Sequence, residues 1–126
     1  MTVYGRRPIL CLDFDGVIHD AREGWRDGEI YGPVTKGFFA WAQQAEPLFR
    51  LLVFCDLRSS DQKLRDVMIS WMFARAKEAK STVDFEFPYE KPPAFLTIDN
   101  RALTFDGNWL NFDPAKLKNF KSWQER

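Results

Sequence analysis

The chain has 126 residues, 45% hydrophobic and 16% aromatic, enough for one packed core and inconsistent with disorder. Lysine plus arginine equals aspartate plus glutamate at 18 each, so no overall basic field points to nucleic acid, although a local basic patch stays open. No apolar stretch could span a membrane, and the run behind Arg6 and Arg7 breaks at Asp13, too early for a signal peptide. Cys11 and Cys55 sit inside apolar runs without metal-ligand spacing and read as buried free thiols in a reducing compartment. The expectation is a cytoplasmic single domain over 1–126.

In chain order, Ile9-Leu10-Cys11-Leu12 opens a buried strand over 9–14 that ends in two acids, Asp13 and Asp15. Side chains on a strand alternate with period two, so both carboxylates leave the strand end on one side. Gly16 then lets the chain turn. Two such acids repel unless a cation lies between them or one holds a proton, and a hard oxygen-seeking ion such as Mg2+ would fit. A strand ending in a solvated acidic turn is the plainer alternative. Residues 17–33, rich in glycine and charge, form a loop or flap whose length suggests function or mobility. His19, the only histidine, lies in it; it could touch substrate, but a lone loop histidine is more often solvated.

Phe38, Phe39, Trp41, Ala42 and Ala45 suit an amphipathic helix over 34–46, ended by Pro47. Phe49–Cys55 is apolar nearly throughout, as a buried parallel strand is. Ser59, Ser60 and Asp61 offer caps for a helix to about Lys80, with Leu64, Val67, Met68, Trp71 and Met72 as its buried stripe. Val83–Phe87 alternates like an edge strand with one wet face. A proline-bounded loop carrying Lys91 leads to a short strand over 94–98 that ends at Asp99-Asn100-Arg101. Leu103–Phe105 and Trp109 around Asp106-Gly107-Asn108 suggest a hairpin, and Pro114 opens a short helix with Leu117 and Phe120. Alternating strands and helices predict a three-layer parallel α/β sheet with helices on both faces. Ligands then bind beyond the carboxyl ends of the strands, where Asp13, Asp15 and Asp99 converge if the strands from 9 and 94 are neighbours.

Asp13-Phe14-Asp15-Gly16-Val17 after an apolar strand resembles the first motif of the haloacid dehalogenase-like (HAD) superfamily, whose members are mostly Mg2+-dependent phosphatases. The resemblance extends over nearly the whole chain, in particular to the small capless members of bacteria and phages, with a Rossmann-like sheet and 17–33 as the flap beside the site. It implies that Asp13 is the nucleophile, forming an aspartyl-phosphate, and Asp15 the general acid and base. It further implies that Mg2+ is held by Asp13, the Asp15 main-chain carbonyl and Asp99, with Asn100 orienting a metal-bound water. Lys91 falls where the phosphate-stabilising lysine falls, and a solvated loop lysine is its plain alternative. Gly16, Asp56 and Arg58 fall on the substrate-binding side. An open site without a cap would suit a phosphate on something large, such as a nucleic acid end or a phosphoprotein. Capless relatives often cover the site with a neighbouring subunit, so a homo-oligomer is consistent with the resemblance. Trp25, Tyr31 and Trp109 could line the mouth and stack on a ring, or simply pack.

The second motif departs from the family. Relatives end the second strand in Ser or Thr, often with Arg two residues on; here Asp56 precedes Arg58. A hydroxyl donates to a phosphate oxygen, whereas an ionised carboxylate only accepts. Like charges about 4 Å apart cost roughly 1 kcal/mol in water and several times that when shielded. Arg58 could neutralise Asp56, Ser59 or Ser60 could supply the hydroxyl, or Asp56 could point away. Otherwise turnover is weakened or lost, leaving a protein that binds a metal, a phosphorylated ligand or a partner.

Overall fold

The computed structural model describes residues 7–126, so Arg6 lies outside the described residues. The elements are β1 (Ile9–Leu12), α1 (Phe38–Ala45), β2 (Arg50–Val53), α2 (Gln62–Glu78), β3 (Phe85–Glu86), β4 (Leu96–Ile98) and α3 (Pro114–Leu117), with 3-10 turns at Trp109–Asn111 and Trp123–Glu125. The strands form one parallel sheet in the order β3-β2-β1-β4. It is an α/β fold. Leu10 stands level with Leu51 on one side and Leu96 on the other, and Leu12 with Val53 and Ile98. That register brings the carboxyl ends of β1, β2 and β4 together. The order steps out from β1 to β2 and β3, then returns to the far side of β1 for β4, so the strand order reverses beside β1 while every strand stays parallel.

The core explains how the helices sit. Leu10, Leu12, Phe14, Leu51 and Val53 cluster with Phe38, Ala42 and Ala45 of α1 and with Met68 and Met72 of α2. Alternate strand residues share a face, so both longer helices cover the same side of the sheet. Two successive right-handed crossovers in one direction require this. The two longer helices thus share one face, where the sequence predicts helices on both. On the opposite face, bearing Cys11, the β3–β4 connection runs as a proline-rich loop, and its Lys91 shares a small cavity with Cys11, Phe54 and Thr97.

Local chemistry accounts for the boundaries. Asp61 caps α2 by accepting from the Leu64 N–H at 3.0 Å. Asp113 does the same for α3, with Pro114 in its first turn. In the predicted stripe of α2, Met68 and Met72 are buried, but Val67 is 44% exposed because it lies off the packed face. The predicted hairpin after residue 102 is absent. Asp106 instead accepts from the Asn108 N–H at 2.9 Å and the Asn111 amide at 2.6 Å, folding the segment into a turn before it can pair as a strand. Cys11 and Cys55 are free and buried, as expected. Among the described residues no helix is long and apolar enough to cross a membrane.

Candidate active site

Asp13 follows β1 directly and is anchored there: its N–H donates to the Ile98 carbonyl at 3.0 Å, while the Phe54 N–H donates to Leu12 at 3.0 Å. Gly16 turns the chain at φ +84°, and the N–H groups of Val17, Ile18 and His19 all converge on the Phe14 carbonyl. A Cβ on Gly16 would stand 2.2 Å from the Asn100 amide nitrogen. Gly16→Ala thus combines a left-handed backbone with a steric clash, and should cost about 2 kcal/mol or more and displace Asn100. A thermal melt read alongside the Asn100 amide resonances checks both effects.

A cleft of about 440 Å3 opens beyond the strand ends, and Asp13, Asp15, Asp56, Asp99 and Asn100 all line it. The predicted convergence of Asp13, Asp15 and Asp99 is present, and its cause is the predicted one: β1 and β4 are parallel neighbours. Five carboxylates (with Glu29) face two guanidinium groups, Arg58 and Arg101, and Arg101 is paired with Glu125. Lys91 meets Asp13, Asp56 and Asp99 across an adjoining cavity of about 40 Å3.

This crowding sets the proton affinities. Burial pushes the Asp13 carboxyl up to about 7, and the charges of Asp99, Asp15 and Asp56 add to it, against one opposing hydrogen bond from the Phe14 N–H. Asp15 goes the other way. Burial would raise it, but hydrogen bonds from His19 and Arg58 and the guanidinium's charge hold it below the usual carboxylate range. Burial pushes the Cys55 thiol up to about 12, with Asp15 adding, so it is an inert thiol.

Arg58 is 1% exposed and faces Asp15 rather than Asp56. Its Nε donates to Asp15 Oδ2 at 2.8 Å, Nη2 to Oδ1 at 3.2 Å, and Nη1 to the Gly28 carbonyl at 2.9 Å. The ways around Asp56 resolve accordingly. Arg58 is engaged elsewhere. The Ser59 hydroxyl is buried and accepts from the Cys55 N–H at 2.9 Å, and Ser60 does not line the cleft. Asp56 does not point away, since it lines the cleft and raises Asp13. The Asp56 carboxylate shares both cavities with Asp13.

His19 is not solvated but 1% exposed, with Nδ1 2.8 Å from Asp15 Oδ1. The plain alternative for this residue is corrected: the flap folds back, and the ring packs on Phe14, Tyr31 and Trp71. Trp25 lines the cleft with Arg58 beneath it at 4.8 Å. Tyr31 instead braces the flap through the Gly24 carbonyl, and Trp109 packs with Phe105 and Phe112 away from the cleft.

The C-terminal turn was not legible as part of the site. Trp123 Nε1 donates to the Gly16 carbonyl at 2.7 Å, and Gln124 Oε1 accepts from the Ala21 N–H at 3.1 Å, so Gln124 lines the cleft. No local pattern signals a contact between residues 107 apart. Comparison with family models, with curated proteins and with solved structures gives no match to this chain.

Proposed function

We propose that the chain is a small, capless HAD-like phosphatase that hydrolyses a phosphate monoester through an aspartyl-phosphate and uses Mg2+. The observation that carries this reading is the meeting of Asp13 and Asp99, from the ends of adjacent parallel strands, with Asp15 in one open cleft. The segment between β1 and α1 holds no named helix or strand, which suits a flap rather than a cap.

The donor set fits Mg2+. It is all oxygen: the carboxylates of Asp13 and Asp99, the Asp15 main-chain carbonyl and the Asn100 amide. Among the described residues no three His, Cys, Asp or Glu side chains group closely enough to hold an ion between them. Mg2+ suits such a site because it keeps several waters and takes only one or two carboxylates. Bound there, it would offset the charge of nucleophile and phosphate and bring Asp13 back towards its ionised form.

Asp13 would then attack phosphorus: a P–O bond forms to its carboxylate and the P–O bond to the ester oxygen breaks, that oxygen leaving as an alkoxide or phenolate that takes its proton from water in the open cleft. Lys91 faces Asp13 and offsets the negative charge gathering there. Asp15, held ionised by Arg58 and His19, is suited to the second step, taking a proton from the water that opens the acyl-phosphate. Arg58 acts through Asp15. The substrate is a phosphorylated group of open identity, and the exposed cleft favours one borne on a larger molecule.

Asp56 favours a second reading: a weakened or inactive relative that binds a metal, a phosphorylated ligand or a partner. Hydrolysis of para-nitrophenyl phosphate decides between them. Turnover that needs Mg2+ and falls by on the order of 10^3-fold or more in Asp13→Asn supports the phosphatase. Turnover absent from the parent and present in Asp56→Ser supports the second reading.

A further inference from the structure

His19 is the chain's one histidine, and both of its ring nitrogens are engaged. Nδ1 lies 2.8 Å from Asp15 Oδ1, and the backbone N–H of Gly32 donates to Nε2 at 2.9 Å. A backbone N–H can only donate, so Nε2 is the bare acceptor and the ring's proton is on Nδ1, aimed at the carboxylate. The approach needs glycine at 32. A Cβ there would stand 2.0 Å from the Asp20 carbonyl oxygen and 3.1 Å from Nε2. On the other side of Asp15, Arg58 repeats the arrangement, joining the same carboxylate to the Gly28 carbonyl. Two side chains therefore each connect Asp15 to a different point of the flap.

We propose that His19 is a positioning residue, a neutral strap carrying its proton on Nδ1 that aims the Asp15 carboxylate and fastens the 17–33 flap to it at Gly32. The catalytic consequence rests on the phosphatase reading; the tautomer and the strap do not. The orientation of Asp15 is set by the ring's Nδ1–H and by Arg58, and the flap stays fastened beside the cleft at Gly32 and Gly28 through the same two side chains. A carboxylate that loses one donor is free to rotate, and misplacement of a reacting group by about 1 Å can cost on the order of 10^2-fold in rate.

Because there is a single histidine, 15N-labelled full-length protein gives one pair of ring nitrogen signals at pH 7.5. The expected result is a protonated Nδ1 and an unprotonated Nε2, the minor tautomer of free histidine. A proton on Nε2, or on both nitrogens, overturns the proposal. Two variants separate the two ends of the strap. The amide of His19→Asn overlays Nδ1 and can still donate to Asp15, whereas that of His19→Gln overlays Nε2 and reaches Gly32. Exchange of the Gly32 amide proton should quicken at least tenfold in His19→Asn and stay slow in His19→Gln; equal exchange in the two overturns the strap. In para-nitrophenyl phosphate hydrolysis, kcat should fall on the order of 10–100-fold in His19→Gln with KM unchanged, and be largely retained in His19→Asn. The reverse order overturns the positioning role. A parent without turnover overturns the phosphatase reading alone, since ring signals and Gly32 exchange still decide the strap.

Discussion

Asp13→Asn should make the chain more stable at pH 8 by up to about 4 kcal/mol when no divalent cation is present. The cause is the carboxyl group raised from 3.8 to about 7, first by burial and then by Asp99, Asp15 and Asp56. Between those two values the folded chain keeps a proton that the unfolded chain gives up. Stability from this group is therefore complete below pH 3.8, falls as pH rises through the window, and levels off above about 7. Asparagine carries no charge to desolvate, and its Oδ1 can still accept the Phe14 N–H that Asp13 accepts at 2.8 Å. Urea unfolding of parent and variant at pH 4 and pH 8 reads the difference, which should open with rising pH. If the cleft takes Mg2+ as proposed, adding it at pH 8 should stabilise the parent more than the variant, which keeps the Asp99 carboxylate but has lost that of Asp13. A variant less stable than its parent at pH 8 would show that Asp13 is not a strained group. A residue whose removal stabilises the fold is held in place for something other than folding.

Arg58→Met should act in the opposite direction, lowering stability by about 3–5 kcal/mol at pH 7. The guanidinium is 1% exposed and makes three hydrogen bonds, two to Asp15 and one to the Gly28 carbonyl, while lying 5.3 Å from the Phe14 ring. Methionine fills much of the space but leaves the part-buried Asp15 carboxylate with His19 as its one remaining side-chain nitrogen donor and takes from the Gly28 carbonyl the guanidinium that it accepts from. Lysine should restore little, because one ammonium cannot reproduce the planar fork across both Asp15 oxygens. The pH dependence has a definite sign. Asp15 is held below its ordinary value in the parent, so its contribution is present above pH 3.8 and fades as pH falls through the lowered folded value. The gap between parent and Arg58→Met should therefore be widest near neutrality and narrow in acid. Guanidinium unfolding midpoints at pH 7 and pH 3 test it; a gap independent of pH would mean that Arg58 contributes packing alone.

The two predictions concern neighbouring acids with opposite fates. One donor from the backbone is too little to keep Asp13 ionised, while a guanidinium and an imidazole hold Asp15 charged. Two acids one residue apart thus come to differ in proton affinity, the separation that the proposed nucleophile and base would require. Asp56 is the local conflict. It adds negative charge beside Asp13, and under the proposed phosphatase reading a hydroxyl donor there would serve a phosphate better; Lys91 faces it across the small cavity.

Much of this architecture is legible in the chain itself. Apolar runs broken at Asp13, Pro47 and Asp99, and a capping Asp61, mark β1, α1, β2, α2 and β4, because strand alternation, helix capping and proline geometry act between near neighbours. The same local rules place Asp13 and Asp15 at one strand end and Asp99 at another, and parallel pairing then brings them together. Local pattern misread residues 103–109, where an Asp106 side chain competing for backbone N–H groups overrides a hairpin signal. It also could not tell which face of the sheet the helices cover, since that follows from strand order.

Tertiary structure alone decided the partners of the charged groups. Arg58 lies two residues from Asp56 in the chain and 43 from Asp15, yet it pairs with Asp15. His19 looks solvated in sequence and is sealed beneath Tyr31 and Trp71, and Trp123 reaches back to Gly16. The physical reason is common to all three. A buried polar group must find a partner once water is excluded, and which partner lies within about 3 Å is settled by how distant segments close on one another.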